Sequence, residues 1–206
     1  MRTHSKETQS SLTPEMALQI LKEGNRRFIQ NLKANRNLLQ QVNETSTGQF
    51  PFATILSCID SRTSAELIFD QGLGDIFSIR IAGNIVNEDI LGSMEFGTKI
   101  VGTKLILVLG HSKCGAITGA CNHVEMGHLT TLLNKIQPAV QKASATLSGD
   151  GSNPEFVDRV THLNVELTIG RIRHESQIIA ELEQQGQIKI VGGHYDVETG
   201  QVTFLS

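Results

Sequence analysis

The stretch FATILSCIDSR, residues 52–62, decides the fold and raises the question of function. It begins as a short uninterrupted apolar run, which is typical of a strand buried on both faces of a parallel sheet. It ends in a thiol, a carboxylate and a guanidinium, at Cys58, Asp60 and Arg62. Open α/β sheets bind ligands at the carboxyl ends of their strands, so this placement indicates a functional site.

The same arrangement returns in KLILVLGHSKCG, residues 104–115, where an apolar run is followed by His111 and Cys114. IFSIRI at 76–81 is predicted to be a second strand, and the chain closes with QIKIVGGHYD and QVTFL, joined by the turn ETG. Stretches with apolar residues at helical spacing separate these runs. The alternation predicts a single α/β domain, with a mainly parallel central sheet flanked by helices and a closing hairpin-like pair.

The amino-terminal region divides into a tail and a helical arm. Residues 1–12 are polar and predict a disordered tail, so the domain is expected to span 13–206. The sequence TPE at 13–15 supplies a capping hydroxyl, a first-turn proline and an acid near the positive end of a helix. That helix carries an apolar stripe, which needs a surface to lie on. The mostly polar residues 35–49 predict a connection.

The composition argues against several classes of protein. A net charge of −3 gives no electrostatic reason to expect nucleic acid or an anionic membrane as partner. The longest apolar run, LILVL at 105–109, is far shorter than the ~20 residues that span a bilayer. Three cysteines without a CxxC spacing argue against a disulfide framework, and the polar start lacks the apolar stretch of a signal peptide. These features predict a cytoplasmic protein.

The two strand ends carry four candidate metal ligands. If the strands are neighbours, two thiols, an imidazole and the Asp60 carboxylate meet at one edge of the sheet. This donor set suits tetrahedral zinc, which accepts sulfur, nitrogen and oxygen ligands. Each residue alone has an ordinary structural explanation, as a small buried thiol or a turn-forming acid. The coincidence of both pairs at equivalent places in two βα units favours a metal site, whereas Cys121, inside a helical run, is predicted to be core.

The motif CIDSR at 58–62 followed by HSKCG at 111–115 is highly specific. With ELIFDQGLGDIFSIRIAGNI at 66–85 and YDVETGQVTFL at 195–205, it resembles the β class of carbonic anhydrase. The likeness runs through nearly the whole chain from about residue 14. Regulated members of that class typically carry Trp, Gly and Val at three positions that are Ile55, Ser57 and Thr63 here. The resemblance therefore implies an open, plant-like site.

The resemblance also implies a role for each site residue. One Zn²⁺ per chain would be bound by Cys58, His111 and Cys114, and Asp60 would either take the fourth zinc position or pair with Arg62. Contacts with the substrate are implied for the Gln49 side chain, the Gly115 backbone N–H and two aromatic walls, Phe77 and Phe96.

The activity implied by the resemblance is reversible hydration of carbon dioxide to bicarbonate and a proton. Hydroxide held by zinc would attack CO₂, and the Asp60–Arg62 pair would gate the metal. The helical arm would pack on a partner subunit, in a homodimer that often pairs into a homotetramer. Two alternatives stay open: a carbon disulfide or carbonyl sulfide hydrolase of the same fold, and a non-catalytic structural zinc module. An acid beside an arginine favours the enzyme, because closed structural zinc sites usually contain only Cys and His.

Overall fold

Five strands form one sheet in the computed structural model, which describes residues 3–205. In chain order the strands are β1 (Ala53–Ser57), β2 (Ile76–Arg80), β3 (Leu105–His111), β4 (Lys189–Tyr195) and β5 (Val202–Leu205). They are arranged in the order β2-β1-β3-β4-β5; the first four are parallel neighbours, and β5 runs antiparallel to β4. The prediction of an α/β fold with a mainly parallel sheet and a closing hairpin is confirmed.

Helices lie on both faces of this sheet. In chain order they are α1 (Lys6–Ser10), α2 (Pro14–Ile29), α3 (Leu38–Thr45), α4 (Ala65–Ile68), α5 (Glu88–Glu95), α6 (Gly115–Cys121), α7 (Gly127–Asn134), α8 (Gln137–Ser144), α9 (Pro154–Glu175) and α10 (Gln177–Gln184). A 3₁₀ turn covers Ala82–Asn84, and α5 continues as a π-helix over Phe96–Val101. None of the helices between residues 3 and 205 is long and apolar enough to cross a bilayer.

The central strands β1 and β3 are buried along their whole length. On one face, Leu107 of β3 packs in a cluster with residues of α2 and α4. On the other face, Val108 packs in a cluster with residues of α9 and α10. This burial on both faces is the reason that the two strands read as uninterrupted apolar runs.

Helix α9 lies directly against the sheet because two strand residues lack side chains. A Cβ on Gly110 of β3 would stand 2.8 Å from Val165 of α9, and a Cβ on Gly192 of β4 would stand 3.0 Å from the same side chain. Both distances are shorter than packed carbon atoms tolerate. The glycines therefore let α9 approach β3 and β4 closely.

The arm helix α2 packs on its own chain. Its amino terminus is capped by the Thr13 side chain, as the sequence predicts. Ala17 and Leu21 of the apolar stripe are fully buried. A Cβ on Gly24 would collide with the Phe69 carbonyl oxygen, so the helix touches the end of α4. The apolar stripe of α2 is therefore buried within its own subunit. Only the exposed side chains of this helix remain available to contact a partner subunit.

Two segments predicted to be irregular contain helices instead. Within the expected tail 1–12, of which residues 1 and 2 lie outside the described part, α1 is formed and Gln9 is buried. The Gln9 amide donates to the carbonyl oxygens of Pro51 at 2.6 Å and Val101 at 3.2 Å. These long-range hydrogen bonds anchor a segment whose polar composition alone favoured disorder. The expected connection 35–49 contains α3, so that part of the prediction is also wrong.

Candidate metal centre

Two neighbouring strands bring the candidate ligands to one edge of the sheet. Strand β1 pairs in parallel with β3, so that Ser57 lies beside Leu109. Cys58 follows β1 directly, His111 ends β3, and Cys114 comes immediately before α6. The predicted cluster required β1 and β3 to be neighbours, and they are.

Cys58, His111 and Cys114 form a buried cluster. Their ligand atoms all lie within 4.8 Å of one another, and the two sulfur atoms are 3.9 Å apart. Each residue is at most 4% exposed. His111 Nδ1 lies 2.9 Å from the Ser112 carbonyl oxygen, which makes Nδ1 the protonated donor and leaves a lone pair on Nε2. That Nε2 is buried and has no hydrogen-bond partner among residues 3–205.

The cluster fits a zinc ion. Two sulfur ligands of a tetrahedral zinc, each at about 2.3 Å from the metal, are separated by ~3.8 Å. The observed separation of the Cys58 and Cys114 sulfurs is 3.9 Å. The unpartnered Nε2 of His111 is a second, independent observation, since buried polar atoms are nearly always bonded to something. These residues therefore form a possible metal site whose donor set suits zinc.

The two thiols of the cluster differ in acidity. The hydrogen bond with Cys114 lowers the pKa of Cys58, and His111 and the Gly83 N–H contribute to the same effect. The same hydrogen bond, together with burial, raises the pKa of Cys114. Binding of a divalent cation must then displace the proton that remains. By contrast, Cys121 lies in the apolar core, as predicted, and burial raises its pKa to about 11.

The Asp60 carboxylate is clamped by Arg62. Arg62 Nε donates to Asp60 Oδ1 at 2.9 Å, and Nη2 donates to Oδ2 at 2.7 Å. The Arg62 backbone N–H also donates to Oδ1 at 2.9 Å. These hydrogen bonds hold the pKa of Asp60 well below its usual range. In this arrangement the carboxylate is paired with the guanidinium.

Two residues to which the sequence analysis gave no role in the site, Arg80 and Thr63, hold the loop after β1. Arg80, at the end of β2, donates to the carbonyl oxygens of Cys58 at 3.1 Å and Asp60 at 2.6 Å. The Thr63 hydroxyl donates to the same two carbonyl oxygens at 3.0 and 2.9 Å. Ser57 and Arg80 are paired at the carboxyl ends of β1 and β2. The alternation of strands and helices in the sequence therefore contained a signal for Arg80, because the carboxyl ends of parallel strands lie at the same edge of the sheet.

Gly83 is a further residue of the site that the sequence reasoning missed. Its N–H donates to the Cys58 sulfur at 3.4 Å, and its φ of 68° lies in the left-handed region that glycine adopts without strain. The Gly83 carbonyl accepts a hydrogen bond at 2.8 Å from Asn164 of α9. The sequence AGN at 82–84 is typical of a turn, but it does not indicate that this turn contacts a cysteine.

The remaining predicted site residues lie at different places in the chain. Gly115 is exposed at the first position of α6, next to Cys114, with open space where a side chain would be. Gln49 is exposed and lines a cavity of about 580 Å³ together with Thr45 and Gly74. None of the candidate metal ligands lines that cavity.

The two predicted aromatic walls meet each other beside strand β2. The rings of Phe77 and Phe96 are 6.2 Å apart between centroids and line a cavity of about 550 Å³. That cavity is also lined by Ile79 and Glu88, and by none of the candidate metal ligands. Phe96 is 51% exposed. Within one described chain, the aromatic pair and the cysteine–histidine cluster are therefore separate features.

Comparisons with known proteins agree with this geometry. A family model described as carbonic anhydrase matches residues 53–202. Carbonic anhydrase 2 of Mycobacterium tuberculosis is 35% identical over 192 residues, which cover 91% of each chain. The crystal structure of the β-carbonic anhydrase CafA of Aspergillus fumigatus is 25% identical, with a TM-score of 0.74 over 93% of this chain and 90% of that one.

A further solved structure supports the fold. One of two tetrameric β-carbonic anhydrases from Sordaria macrospora superposes with a TM-score of 0.70 at 24% identity, over 81% of this chain and 90% of that one. The family model and the mycobacterial relative cover most of the chain, including both cysteine motifs. The chain therefore belongs to the β-carbonic anhydrase family of enzymes, carbonate dehydratases that hydrate carbon dioxide.

Proposed function

We propose that this chain interconverts carbon dioxide and bicarbonate with one Zn²⁺ held by Cys58, His111 and Cys114. The observation that carries the proposal is the Asp60–Arg62 pair, two residues beyond Cys58. Structural zinc sites are usually closed by Cys and His ligands alone, so a carboxylate held by a guanidinium beside the metal ligands is not expected in one. A zinc ion bound in the cluster supplies Lewis acidity, which makes water nucleophilic near neutral pH.

Asp60 orients the attacking water. Its Oδ1 accepts two hydrogen bonds from Arg62, whereas Oδ2 accepts one, so Oδ2 has the greater capacity to accept a hydrogen bond from water. Because pairing holds the pKa of Asp60 well below its usual range, the side chain stays a carboxylate at working pH. It therefore accepts a hydrogen bond and fixes the direction of the water, and it does not retain the proton.

Four residues are proposed to contact the substrate or the bicarbonate product. The N–H of Gly115, an exposed residue that follows Cys114 and begins α6, is proposed to donate to a bicarbonate oxygen. Gln49, Phe77 and Phe96 are proposed to contribute the amide contact and the apolar walls across a subunit interface. Gln49 and Phe96 are exposed and Phe77 is half-buried, and the cavities that they line contain no candidate metal ligand. These observations support a contribution across the interface.

We propose a homodimer, with pairing of two dimers into a tetramer. Large apolar side chains of α2, α3 and their connection are exposed: Ile29, Leu32, Leu38, Leu39 and Val42. The Sordaria macrospora neighbours are described as tetrameric. The three cysteines are free thiols, which suits the reducing cytoplasm as the place of action.

The test of this function is the substitution Arg62→Ala, compared with Arg173→Ala. Arg173 forms an equivalent two-pronged pair with Glu183, at 2.7 and 2.8 Å, and its side chain is 48% exposed against 47% for Arg62. Loss of the clamp should lower the rate of CO₂ hydration by about a hundredfold, the cost typical of a misplaced reacting group. Arg173→Ala should leave the rate unchanged, and both variants should keep their zinc.

Stopped-flow assays with a pH indicator measure this rate, and metal analysis of the same samples measures the zinc. Equal rates in the two arginine variants would remove the proposed role of the Asp60–Arg62 pair. Parallel assays with carbonyl sulfide and carbon disulfide separate the hydratase from a hydrolase of the same fold. Faster turnover of either sulfur compound than of CO₂ would contradict the proposal.

A further inference from the structure

A second group of metal-ligating side chains lies apart from the cysteine cluster. Asp158 and His162 are one turn apart on α9, and His194 lies on β4. One ligand atom from each of the three lies within 4.8 Å of the other two. Residues four apart on a helix share one face, which is the spacing that helical zinc sites use. The group therefore has the residue types and the spacing of a metal site.

The distances within this group match those between zinc ligands. His194 Nε2 lies 3.3 Å from Asp158 Oδ1, and His162 Nε2 lies 3.6 Å from Asp158 Oδ2. Nitrogen and oxygen ligands at about 2.0–2.1 Å from a tetrahedral zinc are ~3.4 Å apart. The two imidazole rings are stacked, with centroids 4.5 Å apart. Both Nε2 atoms lie next to the Asp158 carboxylate. The three residues are therefore close enough for one ion to contact a ligand atom of each.

His194 supplies an unused donor atom. Its Nε2 is buried and makes no hydrogen bond within the described residues, although the Asp158 carboxylate is close to it. Buried polar atoms usually make a hydrogen bond, so this nitrogen is available as a metal ligand even though Asp158 lies within ion-pair distance. Asp158 is 51% exposed, so an ion can reach the group from solvent. An ion held between the three side chains accounts for the arrangement.

The fold holds this group at a place separate from the cysteine cluster. His194 pairs with Gly110 in the register of β4 and β3, and a Cβ on Gly110 would meet α9. Since neighbouring strand residues point to opposite faces, His111 faces away from α9 while His194 faces toward it. The glycines that allow α9 to lie flat on the sheet thus bring His162 over His194.

We propose that Asp158, His162 and His194 form a second metal site, which binds one divalent first-row transition ion of the zinc type. Two imidazole nitrogens and one carboxylate oxygen are the ligand set of zinc sites that keep a position open to solvent. The bound ion would link α9 to β4. This site does not depend on the proposed reaction, and it requires no thiolate.

The test uses enzyme that already holds one Zn²⁺ per chain, titrated with Co²⁺. We expect about one Co²⁺ to bind per chain, with the d–d absorption of nitrogen and oxygen ligands and without a thiolate-to-cobalt charge-transfer band. His162→Gln and Asp158→Asn, both substitutions of partly exposed side chains, should each weaken Co²⁺ binding at least about tenfold. His128→Gln, an exposed histidine on α7, is the matched control and should bind Co²⁺ as the unmodified chain does.

Three results would overturn the proposal. The first is unmodified enzyme that takes up no Co²⁺ when the ion is in tenfold excess over the chain. The second is equal affinity in all the variants, which would indicate scattered surface binding. The third is a charge-transfer band, which would show that Co²⁺ has only replaced zinc at the cysteine cluster.

Discussion

Asn164 connects α9 to the metal cluster, and its replacement tests how the cluster is held. Its Nδ2 donates to the Gly83 carbonyl at 2.8 Å, and the Gly83 N–H donates to the Cys58 sulfur at 3.4 Å. Asn164 is only 3% exposed, so Asn164→Ala would bury the Gly83 carbonyl without this partner. An unsatisfied buried polar group costs about 1–3 kcal/mol. We expect the free energy of unfolding to fall by about 2 kcal/mol.

The same substitution should weaken zinc binding. With its carbonyl released, Gly83 is no longer held at the φ of 68° that aims its N–H at the Cys58 sulfur. Loss of a hydrogen bond that orients a metal ligand typically costs 10–100-fold in metal affinity. We therefore expect the dissociation constant for Zn²⁺ to rise by about 10–100-fold in Asn164→Ala. Competition with a chromophoric chelator measures this constant.

Asn25→Ala is the matched control. Asn25 is also buried, at 4% exposure, and its side chain donates to the carbonyl oxygens of Ile68 and Gly200 and accepts from the Val202 N–H. Its loss should destabilise the chain at least as much, as urea unfolding with excess chelator would show, yet leave the zinc affinity of the folded protein unchanged. Unchanged zinc affinity in Asn164→Ala, or an equal loss in both variants, would refute the reasoning.

Two further predictions concern metal retention and pH. Cys58→Ser should lose zinc on purification while Cys121→Ser, a core substitution, keeps it; metal analysis showing the reverse would contradict the ligand assignment. Asp70→Asn should lower stability at pH 7 by about 3 kcal/mol, because Asp70 is paired with Arg27 at 2.5 Å and with Arg36 at 2.6 Å, in a partly buried cluster. Burial opposes ionisation of Asp70, but these hydrogen bonds prevail and lower its pKa, so the stabilisation is present above the unfolded pKa of about 3.9 and is lost as pH falls below it. Urea midpoints of the two proteins that stay equally far apart at pH 7 and well below pH 3.9 would be inconsistent with this linkage.

The parts of the structure that follow from local patterns could be predicted from the sequence. The parallel strands and the convergence of Cys58, His111 and Cys114 follow from apolar runs that end in polar residues. The α2 start followed from its capping residues. These features depend on neighbours in the chain or on a general rule for parallel sheets.

Features that depend on long-range contacts were not predictable in this way. Helix α1 was expected to be disordered because no local signal shows that Gln9 bonds to Pro51, which lies 42 residues away. The contact of Gly83 with Cys58 and that of His162 with His194 arise from how elements pack. The surface on which the apolar stripe of α2 packs could not be predicted either, because it is formed by α4 and the sheet.

X-ray absorption at the zinc edge tests the central claim most directly. The protein is loaded with one equivalent of Zn²⁺, and the ligand atoms around the metal are counted. Two sulfur ligands near 2.3 Å, one imidazole nitrogen and one light-atom ligand are expected if Cys58, Cys114 and His111 hold the metal. A spectrum with no sulfur ligand, or loss of both sulfurs in Cys121→Ser alone, would contradict the account.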